Sequence, residues 1–480
     1  MLKRPLYALM IVTFLLAACA GPAPAPTAVP ATAAPAAAPT QPPPPTAVPP
    51  TSAPAAAPTS APAATAVPPT AAPSGAKVTL KLWSHNDPGF QKANEDLVAK
   101  FMAENPNIEI KYENFPYDSY LQTLETAMVA GTEADVMDLF GSWICPQYAS
   151  GGRLLPAPAD VMTYDQAKQL FFETPLDGYY CDGKLYGLPH EFNQEAGGVL
   201  VNPALFQKAG LPYPPQWKTF ADVIADAKKM TEVDKGTMTV AGFDPITADG
   251  LNATLLAGIL EQGGDYYAAD KRHFNFDTPE AHKMLQMMVD WVDKDKVVDP
   301  VVFNDTSNAV STSFFTGNIA IGFVGAWAAS SGLSTYPDFK FDYVELPTYF
   351  GGERHFAADS GWGAVVSAHT QHPAEAWKFV KFATTQEENA LIYNSDTSTI
   401  PALKSLVQNP DKVLANEPWL KATFDLLPHG QYIGNLTDHD KVLYDNNYNT
   451  ILAALQGTMS LDDALNKMTT DDNAVVDAAK

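Results

Sequence analysis

Alternation of apolar and polar residues marks three strands in the first part of the chain that has a mixed composition. Residues 78–83 (VTLKLW) and 108–112 (IEIKY) alternate with the period of two that side chains have along a strand. Residues 135–140 (DVMDLF) form a third short, mainly apolar run. We therefore expect three strands, each separated from the next by a segment long enough for one helix.

The two intervening segments carry the end signals of helices. Asp87-Pro88 pairs a capping residue with a proline at the first helical position, and Asn105-Pro106 stops this helix. The second segment has apolar residues at helical spacing and ends at Gly131. The order strand, helix, strand, helix, strand predicts a βαβαβ unit with a parallel sheet, in which ligands bind beyond the carboxyl ends of the strands.

The α/β pattern continues further along the chain, with helices predicted over residues 217–230, 279–292 and 373–383. Residues 77–480 make up about 400 residues, which by length is two domains of ordinary size. No apolar run in this part is long enough to cross a bilayer.

The amino terminus has the pattern of a secretory signal. Lys3 and Arg4 precede an apolar stretch over residues 6–15, so we interpret residues 1–18 as a signal peptide. The run Leu-Ala-Ala-Cys ending at Cys19 resembles the lipobox of bacterial lipoproteins. This resemblance implies that Cys19 is lipidated and that the protein is anchored to the outer face of the cell membrane. The alternative is an ordinary signal peptide with a chance cysteine.

Residues 19–76 have the composition of a disordered spacer. From residue 20 onward this segment is mainly Pro, Ala and Thr, with no charged or aromatic residue. Such a composition cannot bury enough apolar surface to offset the entropy of ordering. Its prolines favour an extended polyproline conformation with a reach on the order of 150 Å.

The charge of the chain excludes several classes of partner. Asp and Glu number 54 against 30 Lys and Arg, which gives a net charge of −24. This balance disfavours nucleic acids and anionic lipids. Only three arginines, Arg153, Arg272 and Arg354, follow the signal segment. A ligand with several phosphate charges would therefore find few guanidinium groups to bind it. A neutral ligand fits the composition better.

The remaining cysteines and the histidines indicate a disulfide rather than a metal site. Cys145 and Cys181 are a candidate pair in an oxidising compartment, the alternative being two separate buried thiols. The nine histidines lack ligand spacing, and we expect no metal. The sequence also lacks a phosphate-binding loop and a Gly-x-Ser-x-Gly elbow, and we expect no cofactor.

Candidate binding residues follow the first and third strands. Trp83 and His85 lie at the end of the first, and Ser142-Trp143 follow the third. Each pair places an aromatic plane beside hydrogen-bonding groups, although either tryptophan alone could equally belong to the core. The same arrangement at two strand ends favours a ligand site.

Five segments together resemble the extracytoplasmic solute-binding proteins of ATP-driven importers, and among these the carbohydrate-binding group related to maltose-binding proteins. They are residues 182–193, 201–210, 314–327, 360–367 and 398–402. The third resembles a strand that ends in the sugar-stacking tryptophan of the family.

The resemblance implies a class II periplasmic-binding fold of the maltose-binding type, with two α/β lobes joined by hinge strands. The first lobe would contain residues 77–190 and 362–392, and the second residues 194–340 and 400–480. The hinge crossings would be residues 191–193, 341–361 and 393–399.

The same resemblance implies a function: a non-enzymatic, monomeric component of an importer captures a neutral sugar between the lobes and delivers it to the membrane permease. Pyranose rings stack on aromatic planes, and their hydroxyls bond to carboxylates and amides. The candidate ligand-binding residues are Trp83, His85, Asp138, Ser142, Trp143, Glu191, Asn193, Trp327 and Trp362, followed by Asn252, Asp359 and Tyr432. Asp138 could instead be structural, and Glu191 could be a hinge carboxylate bonded to backbone.

Other functions fit the residues less well. The same fold could bind a polyamine or a glycerophosphodiester, and Glu191 paired with Asp138 or Asp359 could serve a secreted glycoside hydrolase. The run beginning at His190 lacks the second histidine of a zinc protease motif. Residues 141–144 (GSWI) replace the carboxylate–arginine pair that glucan-binding relatives often carry, which argues against maltodextrin as the ligand.

Overall fold

The computed structural model describes residues 77–193, 198–301, 313–434, 436 and 438–478. The predicted signal peptide (1–18), Cys19 and the predicted spacer (19–76) lie outside these residues, so their assignments stay predictions.

Sixteen strands make up the sheets within the residues that the structure describes. They are β1 Val78–His85, β2 Ile108–Phe115, β3 Val136–Phe140, β4 Tyr180–Cys181, β5 Lys184–Leu185, β6 Gly187–Pro189, β7 Glu191–Phe192, β8 Gly198–Val201, β9 Glu232–Asp234, β10 Thr237–Val240, β11 Ile321–Gly322, β12 Asp342–Glu345, β13 Phe356–Ala358, β14 Trp362–Val366, β15 Ile400–Pro401 and β16 Gly430–Tyr432.

The α-helices within the described residues are α1 Pro88–Glu104, α2 Tyr117–Ala130, α3 Gly141–Trp143, α4 Tyr164–Leu170, α5 Glu173–Asp177, α6 Pro203–Lys208, α7 Phe220–Met230, α8 Ala248–Glu261, α9 Pro279–Asp293, α10 Ala328–Thr335, α11 Pro373–Thr385, α12 Glu387–Thr397, α13 Lys404–Gln408, α14 Asp411–Asn416, α15 Lys421–Phe424, α16 Asn449–Leu455 and α17 Leu461–Ala478. Segments Ile144–Ala149 and Lys441–Tyr448 are π-helical, and Pro418–Leu420 and Leu427–His429 are 3₁₀-helical. None of these helices combines the length and the apolar character needed to cross a membrane.

The predicted βαβαβ unit is confirmed and forms most of the first lobe, by which we mean the five-stranded sheet and helices α1, α2, α11 and α12. The strand order is β2-β1-β3-β14-β6, with β1, β2 and β3 parallel. The Asp87 carboxylate accepts a hydrogen bond from the Gly89 N–H at 3.2 Å, and Gly131 adopts the left-handed conformation that ends α2. Local capping residues therefore set the start of α1 and the end of α2.

Strand β14 enters this sheet antiparallel to β3, with Trp362 opposite Phe140. The sequence pattern had predicted only parallel pairing. The chain reaches β14 directly after Asp359, whose backbone bridges to that of Asn193 at the end of β7. Because the chain comes from the carboxyl edge of the sheet, β14 runs opposite to its neighbour and begins at that edge.

The second lobe, by which we mean the sheet β11-β8-β12, the hairpin β9-β10, helices α6–α10, α16 and α17, and residues 438–448 with the π-helix, has antiparallel sheets. Helix α8 is buried along most of its length because it packs against α9, β13 and the π-helix Lys441–Tyr448.

Two sequence predictions are corrected by the structure of this lobe. The helix predicted from residue 217 begins at Phe220, since Asp222 accepts a hydrogen bond from the Thr219 N–H and caps the helix there.

The second correction concerns Trp327, which was expected at the end of a strand. The strand β11 ends at Gly322, and Trp327 immediately precedes helix α10. Helix α10 lies beside the start of α1. The approach is close, because a Cβ atom added to Gly89 of α1 would lie 3.0 Å from the hydroxyl oxygen of Ser330 in α10. Trp327 therefore lies in the second lobe close to the first.

Candidate functional site

An aromatic cluster lies at the carboxyl edge of the first-lobe sheet. β1 ends there at His85, β3 ends at Phe140 and β14 begins at Trp362. The Trp362 ring lies 4.3 Å from the ring of His85, 5.4 Å from Trp143 and 5.6 Å from Phe140, measured between centroids. We call these four residues, together with Tyr117, the aromatic side of the site.

Tyr117 forms the exposed rim of the aromatic side. Its side chain is 48% exposed, and its ring lies 5.6 Å from His85 and 6.2 Å from Trp362. Sequence reasoning missed Tyr117, although the rule that ligands bind beyond strand ends would have found it, since it lies two residues after the end of β2.

Three buried polar atoms on or beside the aromatic side have no hydrogen-bond partner within the described part of the chain. They are His85 Nε2, Ser142 Oγ and Trp143 Nε1. A buried donor without a partner costs about 1–3 kcal/mol, so such atoms indicate a place where a ligand or water bonds.

The protonation state of His85 is set by its surroundings. Its Nδ1 accepts a hydrogen bond from the Asp87 N–H at 3.3 Å, which leaves the proton of the neutral ring on Nε2. Burial lowers the pKa of His85 to about 3, so the ring is neutral over the physiological range. His85 Nε2 and Trp143 Nε1 therefore both present N–H donors to this edge.

The predicted hinge crossing 191–193 lies next to the aromatic side. Its strand β7 pairs with β15, which directly follows the predicted crossing 393–399, and Asn193 bridges Asp359. The Glu191 carboxylate accepts a hydrogen bond from the Trp362 N–H at 3.0 Å, and burial raises the pKa of Glu191 to about 8. Glu191 thus holds the backbone of Trp362, which matches the alternative role considered for it, and Asn193 lies half-buried beside it.

A charged cluster faces Phe140 from the second lobe and from the predicted hinge crossing 341–361. His439 bonds to Asp359 through Nε2 and to Asp440 through Nδ1, and its ring lies 6.0 Å from that of Phe140. The Tyr444 hydroxyl donates to Asp249 at 3.0 Å. We call His439, Asp359, Asp440, Asp249 and Tyr444 the ionic side of the site.

The acidity of Asp249 depends on this environment. Burial raises the pKa of Asp249 to about 6, while the bond from Tyr444 and the charge of His439 oppose that shift.

Of the five residues of the ionic side, only Asp359 was among the sequence candidates. The others lie in segments without a strand-end or periodic signal, so nothing local marked them.

The structure places other candidates away from both sides. The Trp83 indole N–H donates to Glu113 at 2.8 Å, on the neighbouring strand. Asp138 lies between α1 and α12, where Asn94 and Tyr393 each donate to it at 3.3 Å, and burial raises its pKa to about 7. These contacts are those of the structural role that had been the alternative for Asp138.

Two further candidates lie in packed positions. Asn252 donates to the carbonyls of Ala248 and Leu443, each at 2.8 Å, and so joins α8 to the π-helix Lys441–Tyr448. Tyr432 lies in β16 opposite Ala358, and burial raises its pKa well above the ordinary value.

The short helix α3, which carries Ser142 and Trp143, is anchored by a disulfide next to it. Cys145, in the π-helix that follows Trp143, forms a disulfide with Cys181, and their Cα atoms are 5.8 Å apart. The pairing proposed from the sequence is therefore the one in the structure.

Comparison with known proteins gives a family. A model of the family "Bacterial extracellular solute-binding protein" matches residues 86–390. The maltotriose-binding protein of Pyrococcus abyssi is 25% identical over 343 residues, which cover 70% of this chain and 69% of that protein. The multiple sugar-binding protein of Streptococcus mutans is 22% identical over 352 residues, which cover 68% of this chain and 76% of that protein.

Solved structures agree with the predicted fold. A substrate-binding protein from Listeria monocytogenes in complex with cycloalternan gives a TM-score of 0.69 at 24% identity and covers 83% of this chain and 98% of that chain. A solute-binding protein from Thermotoga lettingae bound with α-D-tagatose gives 0.70 at 19% identity, with coverages of 83% and 100%. The maltose/maltodextrin-binding domain from Bdellovibrio bacteriovorus bound to maltotriose gives 0.67 at 19% identity, with coverages of 83% and 99%. The two-lobed fold of the maltose-binding type is confirmed.

Proposed function

We propose, since the chain belongs to the bacterial extracellular solute-binding proteins, that it captures a neutral sugar between its lobes and delivers it unaltered to the permease of an ABC importer. The observation that carries the choice of ligand is the pairing of the aromatic side with unpaired N–H donors. Trp362 and Trp143 offer planes for the C–H faces of a pyranose ring. The relatives named above bind maltotriose or multiple sugars according to their names.

The two sides together suit a molecule rich in hydroxyl groups. A sugar hydroxyl both accepts and donates, so it can accept from His85 Nε2 or Trp143 Nε1 and donate to a carboxylate of the ionic side. A protonated polyamine only donates, and it would leave both N–H groups without a partner. This argues for a sugar over the polyamine alternative.

The experiment is a ligand panel measured by thermal shift and by intrinsic tryptophan fluorescence. We expect at least one neutral mono- or oligosaccharide to stabilise the purified protein by about 2.7 kcal/mol at a concentration of one hundred times its dissociation constant. Spermidine and glycerophosphocholine are the matched probes for the alternatives. Stabilisation by spermidine with none by any neutral sugar would overturn the proposal.

We also propose that lipidated Cys19 tethers the protein outside the membrane through the spacer of residues 19–76. The family is extracellular, which supports a location outside the cytoplasm. The Cys19→Ser variant should be released into the medium, retain full sugar affinity and support uptake of labelled sugar poorly. Release without any loss of uptake would show that the tether is dispensable for transport.

A further inference from the structure

His439 is a buried side chain that contacts both lobes and the hinge. Its ring centroid lies 6.0 Å from Phe140 of the first lobe and 5.4 Å from Tyr444 of the second. Its Nε2 faces Asp359, at 2.5 Å, in the chain between β13 and β14 that bridges to Asn193. The side chain is 1% exposed.

The geometry requires His439 to carry a positive charge. Nε2 faces Asp359 Oδ2, and Nδ1 faces Asp440 Oδ1 at 2.9 Å. A neutral imidazole has one donor and one acceptor, so only the imidazolium can donate to both carboxylates. Burial lowers the pKa of His439, but Asp359 and Asp440 outweigh burial and raise it to about 10.

We propose that His439 is a positioning residue that holds the two lobes in their ligand-retaining arrangement. The imidazolium bonds to the hinge through Asp359 and to the second lobe through Asp440, while its ring packs against Phe140 of the first lobe. When the lobes separate, the contact with Phe140 breaks. This role rests on the proposed capture of a ligand between the lobes, and it acts through the lobe arrangement rather than through contact with the ligand.

The charged and titratable groups around His439 define its pH dependence. They are Asp359 from the hinge, Asp440 from the segment of His439 itself, Tyr444 from the π-helix and Asp249 from α8. Because the folded pKa is raised above 6.5, the contribution of His439 is complete below pH 6.5 and is lost as the pH rises through about 10.

The Asp440→Asn variant tests the proposal. Removing one carboxylate should lower the pKa of His439, so affinity for the sugar found in the panel should fall at least fivefold between pH 7 and pH 9 in this variant and less than twofold in the wild type. His273 offers a matched control, because its nitrogens face Asp270 and Asp477 on the surface of the second lobe. Asp270→Asn should leave affinity unchanged at both pH values.

A second measurement reports lobe arrangement without any ligand. Spin labels at Val129→Cys and Val233→Cys, both at exposed positions, report a distance between the first-lobe helix α2 and the second-lobe strand β9. We expect His439→Gln to shift this distance distribution to longer values, and NMR of labelled histidine to show a charged His439 in the wild type at pH 8.

The outcomes separate the two proposals. A neutral His439 at pH 8, or a His439→Gln variant with wild-type distances and wild-type affinity, would overturn the positioning role. If no sugar binds the wild type but His439→Gln still changes the distances, the proposed ligand fails and the role of His439 stands.

Discussion

The aromatic side and the ionic side of the site differ in the interactions that hold their side chains in place. On the aromatic side, rings pack against one another and the polar atoms His85 Nε2 and Trp143 Nε1 are neutral and unpaired within the described residues. On the ionic side, the His439 ring nitrogens and the Asp249 carboxylate already have protein partners. One side therefore keeps its hydrogen-bonding capacity for a ligand, whereas the other uses much of it to hold the protein together.

Variants on the two sides should therefore affect different properties of the protein. Changes on the aromatic side should alter ligand affinity directly, because contacts with the ligand are lost. Changes on the ionic side should alter the arrangement of the lobes, because paired charges fix it. The predictions below test this division, beginning with the largest expected effect.

The disulfide is expected to support only the aromatic side, because Cys145 follows helix α3, which carries Ser142 and Trp143. Cys145→Ser with Cys181→Ser opens a loop with a sequence separation of 36. Chain entropy predicts a loss of about 4 kcal/mol in the free energy of unfolding, measured by urea denaturation. Affinity should fall, while the Val129–Val233 spin-label distance stays as in the wild type. A longer distance would show that the disulfide also affects the arrangement of the lobes, which would contradict the proposed division between the two sides.

Trp362 is expected to give the largest direct effect on affinity. Trp362→Leu removes the plane at the centre of the aromatic side, and we expect about 100-fold weaker sugar binding by calorimetry, equivalent to about 2.7 kcal/mol. Trp217→Leu is the matched control, because Trp217 is a half-buried second-lobe tryptophan whose indole N–H bonds to Asp226. Equal losses in the two variants would mean that Trp362 acts through stability rather than through contact.

Glu191 holds the backbone of Trp362, and its effect should appear in the pH dependence of stability. Its folded pKa, raised to about 8 by burial, exceeds the ordinary 4.5. Between these values the folded state binds a proton that the unfolded state lacks. Stability therefore falls as the pH rises, by up to about 1.4 kcal/mol per pH unit.

Glu191→Gln should remove that slope from urea denaturation curves collected between pH 5 and pH 8. Part of the wild-type slope should remain, since burial also raises the pKa of Asp244 to about 8 and of Asp138 to about 7. An unchanged slope would show that Glu191 is ionised in the folded protein.

His85→Phe should have the smallest effect. Phenylalanine keeps the ring beside Trp362 and removes the Nε2–H donor, so we expect affinity to fall about tenfold or less, the worth of one hydrogen bond. The melting temperature without ligand should change little, because removal of the unpaired Nε2–H is offset by loss of the Nδ1 atom that accepts from the Asp87 N–H. No change in affinity would show that this donor faces away from the ligand.

The sequence predicted most of the first lobe and three of the five residues of the aromatic side. β1, β2, β3 and the ends of α1 follow from periodicity and capping, which act within a few residues. His85, Ser142 and Trp143 follow from the rule on strand ends, whereas Trp362 came from the family resemblance. Local patterns did not predict that β14 runs antiparallel, because its direction depends on a hinge that joins distant segments.

Local structure follows from the sequence alone: alternation sets the strands, apolar spacing sets the helix faces, and Asp87, Pro88 and Gly131 set helix ends. Which polar groups meet depends on the tertiary fold. Asp359 and His439 are separated by 79 intervening residues, and their pairing has no trace in either local pattern. The cause is the different range of the interactions. Backbone sterics and side-chain periodicity act over one or two turns, whereas two charges interact whenever the fold brings them close in space.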